Sequence, residues 1–525
     1  MQLIIPMSGL GERFLKAGYT VPKPLIKVEN QEIISHVVNM FPGIKSIFFI
    51  CNKNHLENPS LSLKNKLKKI SPHCKIIPID QHKKGPIHAV LKSIQFFDPY
   101  KPTIVNYCDF NCIWDFKKFK EHIKTSECDG CVVTYTGFHP HMLGSTNYAY
   151  LKLQDSNIVD IQEKKPFTPN PMEEYASSGT YFFKSAKLME KYFKKTIEKD
   201  LNVKGEYYVS MSFKPMIEDK LKLNNFNLDY FMQWGTPEDL KEYNWYSNLF
   251  KAEAKKNNNQ NKFLDNTTLL IPCAGEGKRF ADKGFSDPKP LIKLSKKPLL
   301  FNALDDLPNT SKKKFIFRKD MQKLNIMTSH LKDLYPDADI QILNDKTKGQ
   351  AHTCLLGLEN IDLNKPLIIS ACDNGLVYDF SRLKGLISDE TVDIIVWGCR
   401  EYPGAIRSPK MFGWIEEENK LIKKIHVKDI PNDKFKDPIV TGTFYFKKSS
   451  IFKEIANQLI SKKNKVNNEF YVDSCINNSI DMGYKVVFFE VDFYLCWGTP
   501  DELKTFNYWQ ECFSKANYHI YKEKK

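Results

Sequence analysis

No stretch of this sequence approaches the roughly 18 consecutive apolar residues of a membrane span. Its start, Met1 to Phe14, lacks a basic region followed by a long apolar run. A soluble, cytoplasmic protein that does not engage membrane is expected. There is also no zinc-finger spacing and no aromatic RNA-binding signature, so nucleic acid is not an expected partner despite a basic balance. Cysteine is present but unorganised: of 13 residues, one pair has C-x-x-C spacing, Cys128 and Cys131, and no second such pair completes a zinc set. The two are read as reduced thiols where a loop enters the strand CVVTY.

At 525 residues the chain is longer than a single hydrophobic core sustains, which implies two or more domains. Hydrophobic residues at 42% and aromatics at 13% suit an ordinary globular protein. The 77 Lys and Arg against 62 Asp and Glu leave a formal charge of +15, which favours anionic ligands.

An internal repeat decides the architecture. IPMSGLGERFLKAGYTVPKPLIKV from Ile5 recurs as IPCAGEGKRFADKGFSDPKPLIKL from Ile271, with 13 of 24 positions identical. Later landmarks stay in register: Arg13 with Arg279 (279 − 13 = 266), Asp109 with Asp373 (264), Gly179 with Gly442 (263), and Gly235 with Gly498 (263). The repeat predicts two copies of one domain, over 1–250 and 267–525. The linker is expected at 251–266, around the polar stretch KKNNNQNK from Lys255. Within each copy, short apolar runs alternate with longer amphipathic segments: QLIIPM, SIFFIC and TIVNYC, then TLLIPC, KFIF and PLIISAC. This is the pattern of α/β, Rossmann-like domains with mainly parallel, mixed sheets.

Each copy opens with a buried strand followed by a G-x-G-x-R loop: Gly9, Gly11 and Arg13, then Gly275, Gly277 and Arg279. Glycine lets backbone amides approach phosphate oxygens, and arginine adds a two-point fork. Such a loop alone also serves as a simple strand-to-helix turn. What sharpens it is Pro-Lys-Pro, which places Lys23 and Lys289 ten residues after the arginine in both copies, with prolines stiffening the backbone on either side. A held lysine suits charge stabilisation at a reacting phosphorus. Asp109 and Asp373 end the apolar runs IVNYCD and LIISACD, where ligands gather in open α/β sheets. A carboxylate there pairs well with a divalent cation carried by a nucleotide.

The run G-x-G-x-R-F-(x)8-P-K-P-L resembles the signature of the sugar-phosphate nucleotidyltransferases, and the resemblance extends through both copies. It implies that an acceptor phosphate attacks the α-phosphorus of a nucleoside triphosphate and pyrophosphate leaves. Arg13 and Arg279 would steady the pyrophosphate, and Lys23 and Lys289 the transferring phosphate. Asp109 and Asp373 would hold Mg²⁺ or another divalent cation. The acceptor would meet Glu163, Lys164 and Gly179 in the first copy, and Lys428 and Gly442 in the second. Base recognition is expected at Gly85, Gly349 and Gln350. Gln350 offers a donor and an acceptor, whereas Pro86 at the matching position offers neither.

Two departures stand out. Many members of that family place a second metal-binding aspartate two residues before Gly-Thr-Pro; here Gln233 and Cys496 stand there. In the second copy Val427 occupies the position of Glu163. The matched His88 and His352 are read as packed helix residues. The leading expectation is an enzyme moving a nucleotidyl group to a phosphorylated small acceptor, plausibly a sugar 1-phosphate, for surface polysaccharide precursors. A phosphorylated alcohol or amino-acid derivative stays open as acceptor. Two alternatives remain: one catalytic copy with one regulatory nucleotide-binding copy, and a nucleotide-sugar glycosyltransferase. Asp109-Phe110-Asn111 and Asp373-Asn374-Gly375 lack the Asp-x-Asp common in the last class.

Overall fold

Segments rich in Ile, Val, Leu and Phe build the centre of each sheet, where both faces are covered and alternation with polar residues is lost. The computed structural model describes residues 1–256, 262–430 and 436–522. The chain divides into two units. One is Met1–Ser247 together with the segment from Glu511 onward; the other is Asn248–Gln510.

Among the described residues, the first unit contains a nine-stranded sheet. In chain order its strands are β1 Gln2–Met7, β2 Ser46–Asn52, β3 Lys75–Ile79, β4 Thr103–Asn106, β5 Gly130–Tyr135, β6 Ala149–Gln154, β7 Asn157–Glu163, β8 Tyr175–Phe183 and β9 Leu223–Asn227. Their order across the sheet is β3-β2-β1-β4-β8-β5-β9-β7-β6. The first four are mutually parallel, and β8 enters antiparallel between β4 and β5.

The second unit repeats this arrangement. Its strands are β10 Phe263–Pro272, β11 Asn309–Arg318, β12 Asp339–Leu343, β13 Leu367–Ser370, β14 Ile394–Cys399, β15 Gly413–Glu418, β16 Leu421–Val427, β17 Ile439–Phe446 and β18 Val486–Glu490. They lie in the order β12-β11-β10-β13-β17-β14-β18-β16-β15, the first order with nine added to every number. The expected α/β sheet is therefore present twice; it is mixed rather than mainly parallel, because the strands beyond β4 and β13 pair largely antiparallel.

Helices close the faces. Ala186–Glu198 starts where Ser185 Oγ accepts a bond from Leu188 N at 3.1 Å, and it turns Met189, Tyr192 and Phe193 inward. Those side chains join Ile4, Ile50, Val105 and Phe183 in the first core. Leu270, Ile316, Ile369 and Phe446 hold the corresponding places in the second. Each fully buried side chain of this kind contributes about 1.5–3 kcal/mol.

Two boundaries differ from the sequence expectation. The segment 251–266 is helical as far as Lys255, within Pro237–Lys255, and is strand again from Phe263. The polar run between them lies, at 257–261, outside the described residues. The second difference is that the segment from Glu511 joins the first unit. Tyr518 sets its ring edge against His36 at 5.4 Å, and its hydroxyl lies 3.4 Å from Asn111 Nδ2. His519 is buried against the Ser247 carbonyl at 3.2 Å. No helix among the described residues is long and apolar enough to cross a membrane.

Candidate active site

Strand β1 delivers the chain into the glycine-rich loop. A Cβ on Gly9 or Gly275 would meet nothing within 4 Å, so both sit over open space. Gly11 and Gly277 adopt left-handed backbone, φ 67° and 62°, immediately before a short helix. That conformation favours glycine. It also lays the loop on the Pro-Lys-Pro segment: a Cβ would stand 3.7 Å from Lys23 Cβ in the first unit and 3.3 Å from Lys289 Cβ in the second. Arg13 and Arg279 are exposed on the helix that follows. Their charge reaches Tyr208 in one unit, and Tyr471 and Lys428 in the other.

The lysine and the aspartate, far apart in sequence, meet directly. Lys23 Nζ donates to Asp109 Oδ2 at 2.6 Å and to the Gly235 carbonyl at 3.2 Å. Lys289 and Asp373 form the same ion pair. All four side chains are partly buried. Burial pushes the Lys289 ammonium down, but the neighbouring Asp373 carboxylate outweighs it and the net shift is upward.

The glycine of Gly-Thr-Pro has its reason here. A Cβ on Gly235 would stand 3.2 Å from Asp109 Oδ2, and one on Gly498 only 2.8 Å from Asp373 Oδ2. The carboxylates rest on bare Cα atoms. Gln233 and Cys496 flank the same spot. Asp492 is occupied elsewhere, paired with Arg382 at 2.6 Å. Strand β4 ends at Asn106, so Asp109 lies in the loop beyond it rather than at the last strand position. Gly179, at φ 96° inside an irregular stretch of the β8–β5 pairing, ends the ladder by accepting from Tyr107 N through its carbonyl at 3.1 Å. Gly442 at φ 83° does the same for Ala371 N at 3.2 Å. These two glycines thus brace the loops that carry the aspartates.

Beside this pair lies the expected acceptor corner. Glu163 ends β7, and its Oε2 accepts from Ser210 Oγ at 2.5 Å. Burial pushes its carboxyl up to about 7, against the opposing effects of Ser210 and Lys164. Lys164 and Lys428 both hold left-handed backbone, φ 59° and 57°. Lys164 Nζ donates to Tyr208 Oη at 2.6 Å and lies 4.3 Å from that ring's centre. Tyr208 in turn donates to Glu206. Lys428 donates to the Met411 carbonyl and lies 5.7 Å from the Tyr471 ring. Tyr208 and Tyr471 were not singled out from sequence. Extending the repeat past Gly179 aligns EYYVS from Glu206 with EFYVD from Glu469 and would have found them.

Residues 3–245 match the model of the nucleotidyl transferase family. The first unit belongs to that family. Among curated proteins, the chain is 39% identical over 62 residues to the UTP–glucose-1-phosphate uridylyltransferase of Haemophilus ducreyi, covering 11% of the chain and 21% of that protein. It is 26% identical over 251 residues to the bifunctional protein GlmU of Methanocaldococcus jannaschii, covering 47% and 54%. The chain thus spans about a fifth and about half of these relatives' lengths. Among solved structures, it is similar to the nucleoside-diphosphate-sugar pyrophosphorylase of Vibrio cholerae (18% identity, 46% of this chain and 99% of that one, TM-score 0.37). The inositol-1-phosphate CTP transferase of T. maritima is likewise similar (15%, 46% and 95%, 0.37).

The remaining expected positions have strong structural reasons of their own. Gly85 at φ 81° lets the chain touch the Tyr207 backbone: a Cβ would lie 2.6 Å from Tyr207 N. Gly349 at φ 118° does so against Phe470 N, at 2.5 Å. Gln350 begins the helix Gln350–Leu356 and is half-buried. His88 stacks edge-on with His82 at 4.8 Å and is pushed down to about 4, chiefly by burial. His352 accepts from Lys348 N at 3.1 Å.

Proposed function

We propose that this chain transfers the nucleotidyl group of a nucleoside triphosphate to a phosphorylated small molecule, in both units. One observation carries this reading: the Lys–Asp ion pair, set against a glycine-rich loop, is built twice from four sequence-distant segments. In the reaction, an acceptor phosphate oxygen attacks the α-phosphorus. A new P–O bond forms, the bond to the bridging oxygen of the β-phosphate breaks, and pyrophosphate leaves with the electron pair.

Each group has a part that its placement supports. Gly9 and Gly275 leave room for phosphate oxygens over the loop, and Gly11 and Gly277 let it close on the lysine segment. Lys23 and Lys289 neutralise charge on the transferring phosphate, and the exposed Arg13 and Arg279 steady the pyrophosphate. Lys164 and Lys428 hold the acceptor phosphate, while Glu163 accepts from one of its donors. Gly85, Gly349 and Gln350 stand on the side proposed for the base.

Asp109 and Asp373 fit a hard divalent cation in part. Each unit offers one carboxylate, and no group of three His, Cys, Asp or Glu suitable for a metal occurs among the described residues. Phosphate oxygens and water would complete the shell, as Mg²⁺ prefers. Such an ion, when bound, supplies charge neutralisation on the triphosphate. The resting ion pair keeps each aspartate in place until a phosphate claims the lysine.

The H. ducreyi relative is named for glucose 1-phosphate and UTP. Sugar 1-phosphates are accordingly the first acceptors to try, with a cytoplasmic role in surface polysaccharide precursors as the setting. Pyrophosphate release should be measured with CTP, UTP, GTP, ATP and dTTP separately, against a pooled library of phosphorylated acceptors. Release with one triphosphate is expected; silence across the set would overturn the reading. A second reading, in which one unit only binds nucleotide, draws on the contrast between Pro86 and Gln350 at the base side.

A further inference from the structure

The second unit lacks a carboxylate at the strand position that carries Glu163 in the first, where Val427 stands instead. The loss is matched by two other exchanges within the same corner. Glu163 lies opposite Ala149 across β7 and β6. Its counterpart Val427 lies opposite Gly413 across β16 and β15. Ser210, the donor to Glu163, is replaced in the repeat by Asp473 (473 − 210 = 263, the offset of Tyr471 from Tyr208).

The three exchanges fit one another in space. Asp473 stands at the start of the helix Val472–Asp481. Its Oδ2 lies where a Cβ on Gly413 would be only 2.5 Å away, so the carboxylate rests on the bare backbone facing Val427. Alanine at 413, as at 149, would push it out. A carboxylate has therefore moved from the strand wall to the helix wall, and the glycine has made room for it. Lys428 feels Asp473 as the largest charge opposing the downward push of burial. Nothing in the first unit's hydrogen bonding calls for an acid at this place. Burial disfavours this charge and holds the Asp473 carboxyl up at about 6, with Lys428 opposing.

We infer that Asp473 recognises the acceptor in the second unit, accepting a hydrogen bond from a donor on a phosphorylated small molecule whose phosphate Lys428 holds. This rests on the acceptor corner assigned above. A carboxylate presented from the opposite wall meets a different face of the ligand, so the two units select different acceptors. The donor is a hydroxyl, as on a sugar phosphate, or an ammonium, as on a phosphorylated amino alcohol.

The test uses the full chain carrying Lys164→Ala, which disables the first unit's acceptor lysine. It is titrated calorimetrically with glucose 1-phosphate and, separately, with phosphoethanolamine; the probe that binds distinguishes hydroxyl from ammonium. Adding Asp473→Asn, of the same shape, is expected to raise Kd for that probe at least about tenfold, as loss of a charge-assisted hydrogen bond does. Asp473→Glu should retain more affinity than Asp473→Asn. The Asp473→Asn chain should melt at the same temperature or higher, because it no longer buries a disfavoured charge; a structural role would move stability instead of affinity. Unchanged affinity in Asp473→Asn, or no binding of either probe to the Lys164→Ala chain, overturns the proposal. Failure of the transfer reaction shows separately, as absent pyrophosphate release, and leaves the binding result intact.

Discussion

The two units agree where charge is handled and diverge where a ligand would be recognised. Both keep the Lys–Asp contact, the glycine under the aspartate, and the left-handed glycine beneath the loop. They differ at Glu163 and Val427, Ser210 and Asp473, Pro86 and Gln350. Stabilising a reacting phosphate tolerates little displacement, while recognition can be rebuilt from another wall. Divergence of specificity between two working copies, as proposed above, would account for both halves of that contrast.

The largest expected effect tests the shared half. Lys23→Ala with Lys289→Ala should lower pyrophosphate release roughly 10²–10³-fold, the scale for removing one preorganised charge-stabilising group. Each single variant should abolish the share of its own unit. If one single variant already removes everything, the units are not equivalent in catalysis.

Next come the glycines beneath the aspartates. Gly498→Ala brings a Cβ to 2.8 Å from Asp373 Oδ2, and Gly235→Ala to 3.2 Å from Asp109 Oδ2. A carboxylate shifted by a fraction of an ångström should cost kcat of order tenfold in the second unit and less in the first. Reversal of that order, read in chains retaining only one active lysine, would break the correspondence.

A third prediction separates the units by pH. The Glu163 carboxyl is held up at about 7 and that of Asp473 at about 6, in both cases mainly by burial. The ionised carboxylate accepts from a ligand donor more strongly than the protonated acid does. Acceptor KM should therefore fall as pH rises through about 7 in the first unit, and through about 6 in the second. Stability runs the other way. The folded carboxyls titrate above their unfolded values, so the protein loses stability as pH rises from about 4.5 to 7 for Glu163, and from about 3.8 to 6 for Asp473. Glu163→Gln should remove the first unit's share of that loss, seen as a flatter melting temperature across the window.

The smallest effect is expected from Tyr208→Phe. It removes the hydroxyl that Lys164 donates to and that donates to Glu206, worth about 1 kcal/mol. A few-fold rise in acceptor KM, with kcat unchanged, is the outcome to check.

Much of the charge-handling half was legible in sequence because its residues sit in contiguous motifs repeated at a near-constant offset. Arg13, Lys23 and Asp109 could be paired with Arg279, Lys289 and Asp373 without any structure. That Lys23 touches Asp109 could not, since 86 residues separate them. The limit of β4 was hidden for a similar reason. Tyr107 continues an apolar run, yet its amide bonds to Gly179, whose backbone turn closes the ladder. Gly85 and Gly349 read as ligand-facing; their close approach to the Tyr207 and Phe470 backbones was not legible. Asp473 was invisible because its meaning depends on Gly413 and Val427 together, three positions spread over 60 residues.

The tail from Glu511 gives the chain an unusual order of assembly. Domains ordinarily fold as units in the order of synthesis, the first beginning while the second is still being made. Here the first unit includes Tyr518 and His519, which pack against His36, Asn111 and Ser247. Its core must wait with one side unfinished while the whole of the second unit is translated. No single cut between the halves yields a complete first unit, so shearing the repeat in two would leave the earlier copy short of its own parts.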